Sequence, residues 1–149
     1  MLVRDYCAFE VLGKTRDDAA GEAFDKVARV LGLPYPGGPA LEALAREGDP
    51  SAFSFHSAFN AGEHFDFSFS GLKTAAINLL HNAEQKGETI SRADLAASFQ
   101  HAVSELLCAK AVRAAKLHGC KKLALAGGVA ANGALRASIE RAAGAEGIE

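Results

Sequence analysis

Several residue types that mark particular classes of protein are scarce in this 149-residue sequence. It has no tryptophan, one methionine and three cysteines, and its 16 basic and 18 acidic side chains nearly cancel. Cys7, Cys108 and Cys120 are too few and too far apart for a disulfide framework or a closely spaced zinc motif. No histidine stands four residues from another, which excludes an HxxxH metal pair. The balanced charge gives no general indication of a nucleic-acid-binding protein.

Long hydrophobic runs are also absent. No stretch of about 18 apolar residues occurs, so the sequence predicts no membrane-spanning helix and no contact with a membrane. The segment Met1–Asp5 does not have the pattern of a signal peptide, and we expect a cytoplasmic protein. Because 49% of the residues are hydrophobic, the chain can form one globular core.

Hydrophobic periodicity predicts an α/β chain that is rich in helix. The predicted helices cover residues 18–31, 39–46, 71–85, 92–118 and 133–143. Short strands are predicted over 2–4, 9–12 and 121–126, with a further half-buried extended segment over 65–70 and a long irregular loop over 47–64. Gly32 and Gly119 are positioned to end the helices that precede them.

A glycine pair follows the last predicted strand and precedes the last predicted helix. Gly127 and Gly128 could let a phosphate or ribose approach the backbone, since the next helix presents free N–H groups. The same pair could serve turn geometry alone. Asn132 could likewise bind a ligand or cap the helix.

Three acidic residues share one face of the first predicted helix. Asp18, Glu22 and Asp25 are spaced by four and three residues, and this face could bind ribose hydroxyls, a metal or a basic partner. The alternative is a solvated face. Gly21 is unfavourable within a helix by about 1 kcal/mol relative to alanine, which a close helix contact or a close ligand would explain.

A lysine occupies the first turn of the helix over 71–85. Ser70 is predicted to cap this helix, and Lys73 would be unfavourable there without an anion or carboxylate partner. The alternative is an exposed lysine whose stem covers apolar surface.

Three stretches of the sequence resemble the bacterial TsaD family of tRNA threonylcarbamoyladenosine synthase subunits, formerly called glycoproteases. They contain the motifs DDAAGEAFDK and YPGGP within residues 12–39, DFSFSGLKT at 66–74, and AGGVAAN at 126–132. The resemblance implies an actin-like, two-lobed ATPase fold. It also implies transfer of threonylcarbamoyl from its adenylate to N6 of the adenosine 3′ of the tRNA anticodon.

By this resemblance the chain corresponds to the middle of a longer enzyme. Residues 1–13 would end the sheet of the N-terminal lobe, 14–118 would form a helical region with the loop 47–64, and 119–149 would form a β-loop-α unit of the nucleotide-binding lobe. The N-terminal lobe start and the C-terminal segment would be missing. Family members hold iron or zinc through an HxxxH pair, whose ligands this sequence lacks.

The resemblance assigns binding residues but no catalytic or metal residues. Asp25, Gly38 and Asn132 match the family's nucleotide-binding positions, Glu22 is a plausible neighbour, and Gly127 and Gly128 form the adjoining loop. The implied ligand is ATP or threonylcarbamoyl-adenylate. The implied partners are tRNA and other proteins of the pathway.

We therefore expect part of a threonylcarbamoyltransferase that is inactive as an isolated chain and self-associates through exposed strand edges. One alternative is a noncatalytic actin-like partner or scaffold protein of the same pathway. The other, a glycoprotease, lacks a visible hydrolytic nucleophile and base.

Overall fold

Helices dominate the computed structural model, which describes residues 1–149. The five α-helices are α1 (Ala20–Val30), α2 (Gly37–Ala45), α3 (Ser70–Gln85), α4 (Arg92–Leu117) and α5 (Gly133–Ala145). Strands β1 (Leu2–Asp5) and β2 (Ala8–Glu10) form the one small sheet, and short 3₁₀ turns cover Ala58–Ala61 and Gly128–Ala131. The prediction of a helix-rich chain is confirmed. No helix is both long and apolar enough to cross a membrane.

The helix boundaries follow local signals in the sequence. Gly32 and Gly119 adopt φ values of 73° and 65°, which glycine reaches without steric cost, and each stands just beyond a helix. The hydroxyl of Ser91 accepts a hydrogen bond from the Asp94 amide and so caps α4. These stop and start signals explain why the predicted and observed helices agree closely.

The main hydrophobic core lies among α1, α2, α3 and α4. Phe24 of α1 and Phe99 of α4 meet edge to face with their ring centroids 5.5 Å apart. Leu41 of α2 and Leu72 of α3 belong to the same buried cluster. A second cluster joins the later part of α4 to α5 and includes Val112, Leu135 and Ile139. Since α4 contributes to both clusters, it connects the two parts of the molecule.

The β1–β2 hairpin is the most exposed part of the fold. The strands pair antiparallel with Val3 opposite Phe9, and these two side chains remain 66% and 63% exposed. Leu2 is the one buried residue of the hairpin, and Val3 and Phe9 present apolar surface to solvent.

The predicted strand over 121–126 does not form. Only two backbone hydrogen bonds occur there, from Leu123 N to Glu149 O at 2.7 Å and from Glu149 N to Lys121 O at 2.8 Å. A strand requires a continuous ladder with a neighbour, and a single pairing at Glu149 does not supply one. The predicted extended segment over 65–70 is wrong at its end, because Phe69 has helical φ and ψ values and Ser70 already begins α3. Within it only Phe67 pairs, in an isolated parallel bridge with Thr15.

Candidate functional site

Asp25 lies at the closest contact between α1 and α2. Its Oδ1 accepts a hydrogen bond of 2.8 Å from the Gly37 amide, which is the first of α2. A Cβ atom on Gly37 would lie 2.7 Å from Ala28 Cβ and 2.8 Å from Asp25 Cα. The packing therefore requires glycine at position 37, and Asp25 is held in place by the helix N-terminus that it caps.

Gly38, the next residue, has a different environment. A Cβ atom added there would meet no heavy atom within 4 Å, although the residue is half-buried. The internal packing thus does not require glycine at this position. The open space beside Asp25 leaves room for a ligand to approach the backbone.

Asn132 is both a helix cap and a link between helices. Its side chain is buried, Oδ1 accepts from the Leu135 amide at 2.9 Å, and Nδ2 donates to Gln100 Oε1 at 2.7 Å. The interpretation of Asn132 as a cap is confirmed. An amide has two N–H donors, and the hydrogen bond to Gln100 uses only one of those of Nδ2.

The glycine pair forms an exposed turn. Gly127 has a φ of 97°, a backbone conformation that side chains on L-residues rarely adopt, and its carbonyl accepts from the Ala130 amide. Added Cβ atoms on Gly127 and Gly128 would meet nothing within 4 Å. Turn geometry thus explains Gly127, and the open space around both glycines also permits ligand approach.

The predicted acidic face does not exist as a single surface. α1 begins at Ala20, so Asp18 precedes the helix and lies off the face that Glu22 and Asp25 share. Glu22 Oε2 accepts from the Ala19 amide at 2.9 Å and so stabilises the start of α1. Each carboxylate accepts a hydrogen bond from its own partner within the chain, and only Asp18 has cationic partners.

Lys73 has a carboxylate partner. Of the two interpretations of this lysine, the structure confirms the one that required an anionic partner in the first turn of α3. Its Nζ donates to Asp18 Oδ2 at 2.6 Å, and Lys26 Nζ donates to the other oxygen of Asp18 at 2.5 Å. The hydrogen bonds from Lys26 and then Lys73 outweigh burial and lower the pKa of Asp18 to about 2.

The prediction that Ser70 caps α3 is wrong. Ser70 is the first residue of the helix, and the Asp17 carboxylate accepts from the amides of Phe69 and Ser70 at 2.9 and 3.2 Å. Burial raises the pKa of Asp17, but these amides and the Ser68 hydroxyl outweigh it, and the net effect is a lowered pKa. Asp17 shows no local signal for this role because its partners are more than 50 residues away.

Two contacts whose partners sequence reasoning did not identify bring the site together. Glu42 Oε1 accepts from the Gly133 amide at 3.1 Å, which joins α2 to the N-terminus of α5 across 91 residues. A Cβ atom on Gly21 of α1 would lie 3.6 Å from Val129 Cγ2, in the turn after the glycine pair. The predicted residues of α1, α2 and the α5 N-terminus therefore lie in one region of the molecule.

The donor set does not fit an iron or zinc ion. No three His, Cys, Asp or Glu side chains are grouped so that they could hold a metal. The chemistry available at the site is hydrogen bonding, with carboxylate acceptors from α1 and α2 and amide donors near the start of α5.

Comparison with known proteins identifies the family of the chain. Residues 1–149 match the sequence pattern of a family described as "TsaD: tRNA N6-adenosine threonylcarbamoyltransferase". That description defines a class of transferases that act on tRNA. The chain belongs to the TsaD family.

Curated relatives carry the same name. The tRNA N6-adenosine threonylcarbamoyltransferase of Moorella thermoacetica is 56% identical over 146 residues, which are 98% of this chain and 43% of the relative. Those of Bacillus cereus and Clostridium perfringens are 55% and 51% identical over 93% and 99% of this chain. The chain spans 40–43% of the length of these relatives.

Proposed function

We propose that this chain provides the nucleoside-binding part of a tRNA N6-adenosine threonylcarbamoyltransferase, with ATP or threonylcarbamoyl-adenylate as its ligand. The observation that carries the proposal is the convergence of three distant segments. Glu42 links α2 to Gly133, Gly21 lies against Val129, and Asp25 caps α2 beside the open position at Gly38.

Each assigned residue has a role that its geometry supports. Asp25 uses Oδ1 for Gly37, and its second carboxylate oxygen would accept a ribose hydroxyl. Gly38 would allow the ligand to lie against the backbone. Asn132 would donate its second N–H to the ligand, and Glu22 lies one turn before Asp25 at the edge of the site.

The exposed glycine turn would contact the phosphate side of the ligand. Backbone amides at such a turn, close to the positive end of α5, favour an anion. The carboxylate of Glu42 already lies against the Gly133 amide, so we expect the phosphates to lie nearer Gly127 and Gly128 than the helix terminus.

Transfer to the tRNA adenosine needs more groups than the site contains. Reactive groups must be held in close register for such a step, and the loss of groups that act together removes many powers of ten in rate. We therefore expect no measurable tRNA modification by this chain alone. We propose that the complete enzyme acts in the cytoplasm, with tRNA as its substrate and the other proteins of the pathway as its partners.

The actin-like fold is part of the same proposal. Three features support it: the β-hairpin in residues 1–13, the helical region over 14–118, and the glycine turn that leads into a helix within 119–149.

Self-association through the hairpin is also proposed. Val3 and Phe9 form an exposed apolar pair, and a two-stranded sheet has two unpaired edges that another strand could join. Light scattering over a range of concentrations should show a dimer or larger species that Phe9→Lys converts to monomer. A monodisperse wild-type monomer at high concentration would contradict this.

Calorimetric titration with adenosine, AMP and ATP tests the proposed site. Asp25→Asn keeps an oxygen for the Gly37 amide but removes the charge that would bind ribose, so we expect affinity to fall about tenfold. Asn132→Asp keeps the cap oxygen for Leu135 and removes the N–H donors. The control, Glu140→Gln, changes an exposed carboxylate on α5.

The outcomes separate the alternatives. Weakened binding in Asp25→Asn and Asn132→Asp, with Glu140→Gln unchanged, supports the assigned site. If both site variants bind as the wild type does, the assignment is wrong. Absence of binding by the wild type would instead favour a noncatalytic scaffold.

A further inference from the structure

Two sequence motifs more than 50 residues apart are joined side by side. The segment before α1 pairs with the segment before α3, through Phe67 N to Lys14 O and Arg16 N to Phe67 O, both at 2.9 Å. The Asp66 carboxylate accepts from the Lys14 amide at 2.9 Å and from Arg16 Nε at 2.6 Å. The paired segments lead directly into the two helices.

Asp17 continues this connection at the start of α3. Its carboxylate accepts from the hydroxyl of Ser68 and from the amides of Phe69 and Ser70. A residue that precedes α1 therefore acts as the N-terminal cap of α3, where a carboxylate also suits the helix dipole.

Asp18 extends the connection to both helices. Its two oxygens bind Lys26 of α1 and Lys73 of α3, and the side chains of Asp18 and Lys73 are only 16% and 18% exposed. Hydrogen bonds between charged groups that are largely removed from water are stronger and more directional than exposed ion pairs. The orientation of α1 relative to α3 is thereby fixed at this point.

The connection acts close to the candidate site. Lys26, which Asp18 holds, is the neighbour in sequence of Asp25, and Asp25 carries the bond to Gly37. α1 has only 11 residues, so a displacement of its N-terminal half moves Asp25 with it.

We propose that Asp17, Asp18 and Lys73 are positioning residues that hold Asp25 against the N-terminus of α2. This inference rests on the proposed function for its link to nucleotide binding. The residues themselves do not contact the ligand. We call these three residues the latch.

The experiment compares the wild-type chain with Lys73→Met, and with Lys116→Met as the control. Lys116 also forms an ion pair, with Glu146 at 2.7 Å, but it lies at the far end of α4. Amide hydrogen exchange is measured at Gly37, whose acceptor is Asp25, and at Leu135, whose acceptor is Asn132. Binding of adenosine and of ATP is measured by calorimetry at a temperature where every variant is folded.

If the latch positions Asp25, exchange at Gly37 becomes about tenfold faster in Lys73→Met, while exchange at Leu135 is unchanged. Affinities for adenosine and ATP should fall by the same factor. Lys116→Met should leave both amides and both affinities unchanged. Equal losses for the two ligands are expected because a positioning residue does not contact the phosphates.

Other results would overturn the proposal. A lower melting temperature with unchanged Gly37 exchange and affinity would mean that the latch only stabilises the fold. A loss confined to ATP would mean that Lys73 contacts phosphate. If wild type binds no nucleotide, the proposed function fails, and Gly37 exchange still decides whether the latch holds Asp25.

A milder variant covers the case in which Lys73→Met does not fold. Ser68→Ala removes only the hydroxyl that donates to Asp17. We expect about threefold faster exchange at Gly37, with no change at Leu135. Unchanged exchange at Gly37 in this folded variant would contradict the proposal.

Discussion

The two regions that carry the predicted binding residues differ in how firmly the chain holds them. At the α1–α2 contact, Asp25 is bonded to Gly37, and Ala28 lies too close to position 37 for any side chain there. In the segment 121–132, most residues are exposed and the regular structure is a single 3₁₀ turn. Only Asn132, at the end of this segment, is buried and bonded at both side-chain ends.

This difference separates the two sides of the proposed ligand site. The side formed by α1 and α2 is already in a defined geometry, which lowers the ordering cost of binding. The glycine turn has few buried contacts, a property of segments that open or rearrange at low free-energy cost. Binding by this chain should therefore depend more on the nucleoside than on the phosphates.

The largest effect on stability is expected from Gly37→Ala, which adds a side chain at the close contact between α1 and α2. The new Cβ would lie 2.7 Å from Ala28 Cβ, and α1 and α2 would have to separate. We expect the free energy of unfolding to fall by about 2–3 kcal/mol, as for other overpacked contacts. Urea unfolding measures this, and a loss below that of Asn132→Ala would show that the helices are not in close contact.

Asn132→Ala comes next, at the one well-held position of the second region. It removes the cap on Leu135 and leaves the Gln100 oxygen buried without its donor. We expect a loss of about 1–2 kcal/mol, and a smaller loss for Asn132→Asp, which keeps the cap. Equal losses in the two variants would contradict the role of the cap.

Acid should weaken the hydrogen bonds of the latch, and with them the contact between α1 and α2. The pKa of Asp18 is lowered from 3.8 to about 2, so its contribution to stability is full above pH 3.8 and is lost as the pH falls toward 2. The pKa values of Asp17 and Asp66 are lowered too, with the same sign.

Unfolding by urea between pH 5 and pH 2 measures this effect. Asp18→Asn should reduce the fall in the free energy of unfolding between pH 5 and pH 2 by an amount on the order of 1 kcal/mol. An unchanged slope in Asp18→Asn would show that the ion pairs of Asp18 add nothing to stability.

The smallest effect is expected at Gly144 in α5, the helix that follows the second region. A Cβ there would meet nothing within 4 Å, and the backbone is helical. Gly144→Ala should therefore raise the free energy of unfolding by about 0.5–1 kcal/mol, through helix propensity alone. A decrease in the melting temperature would mean that α5 packs more tightly at this point than the structure shows.

The sequence predicted best what depends on neighbours along the chain. The helix stops at Gly32 and Gly119 and the cap at Asn132 follow from local spacing. The position of Lys73 in the first turn of α3 raised a carboxylate partner as one of two interpretations, but nothing local identified Asp18, which is 55 residues away. The predicted strand over 121–126 failed because strand formation depends on a partner, and only Glu149 pairs with it.

Contacts across long sequence separations could not be predicted. Nothing near Asp17 indicates that it caps α3, and nothing near Glu42 indicates its bond to Gly133. The glycines show the same limit. Gly37 and Gly38 are adjacent and equivalent in the sequence, but only the environment of Gly37 excludes a side chain.

That pair of glycines allows the most direct test of the central claim, that a nucleoside binds beside Asp25. Calorimetric titration with adenosine should compare Gly38→Ala with Gly144→Ala, since both add a methyl group to a helical glycine with open space around it. If the ligand occupies the space at Gly38, Gly38→Ala keeps or raises the melting temperature but weakens binding at least about tenfold, because the methyl group takes the space of the ligand. Gly144→Ala should bind as the wild type does. Equal, wild-type affinity in the two variants would contradict the proposed site.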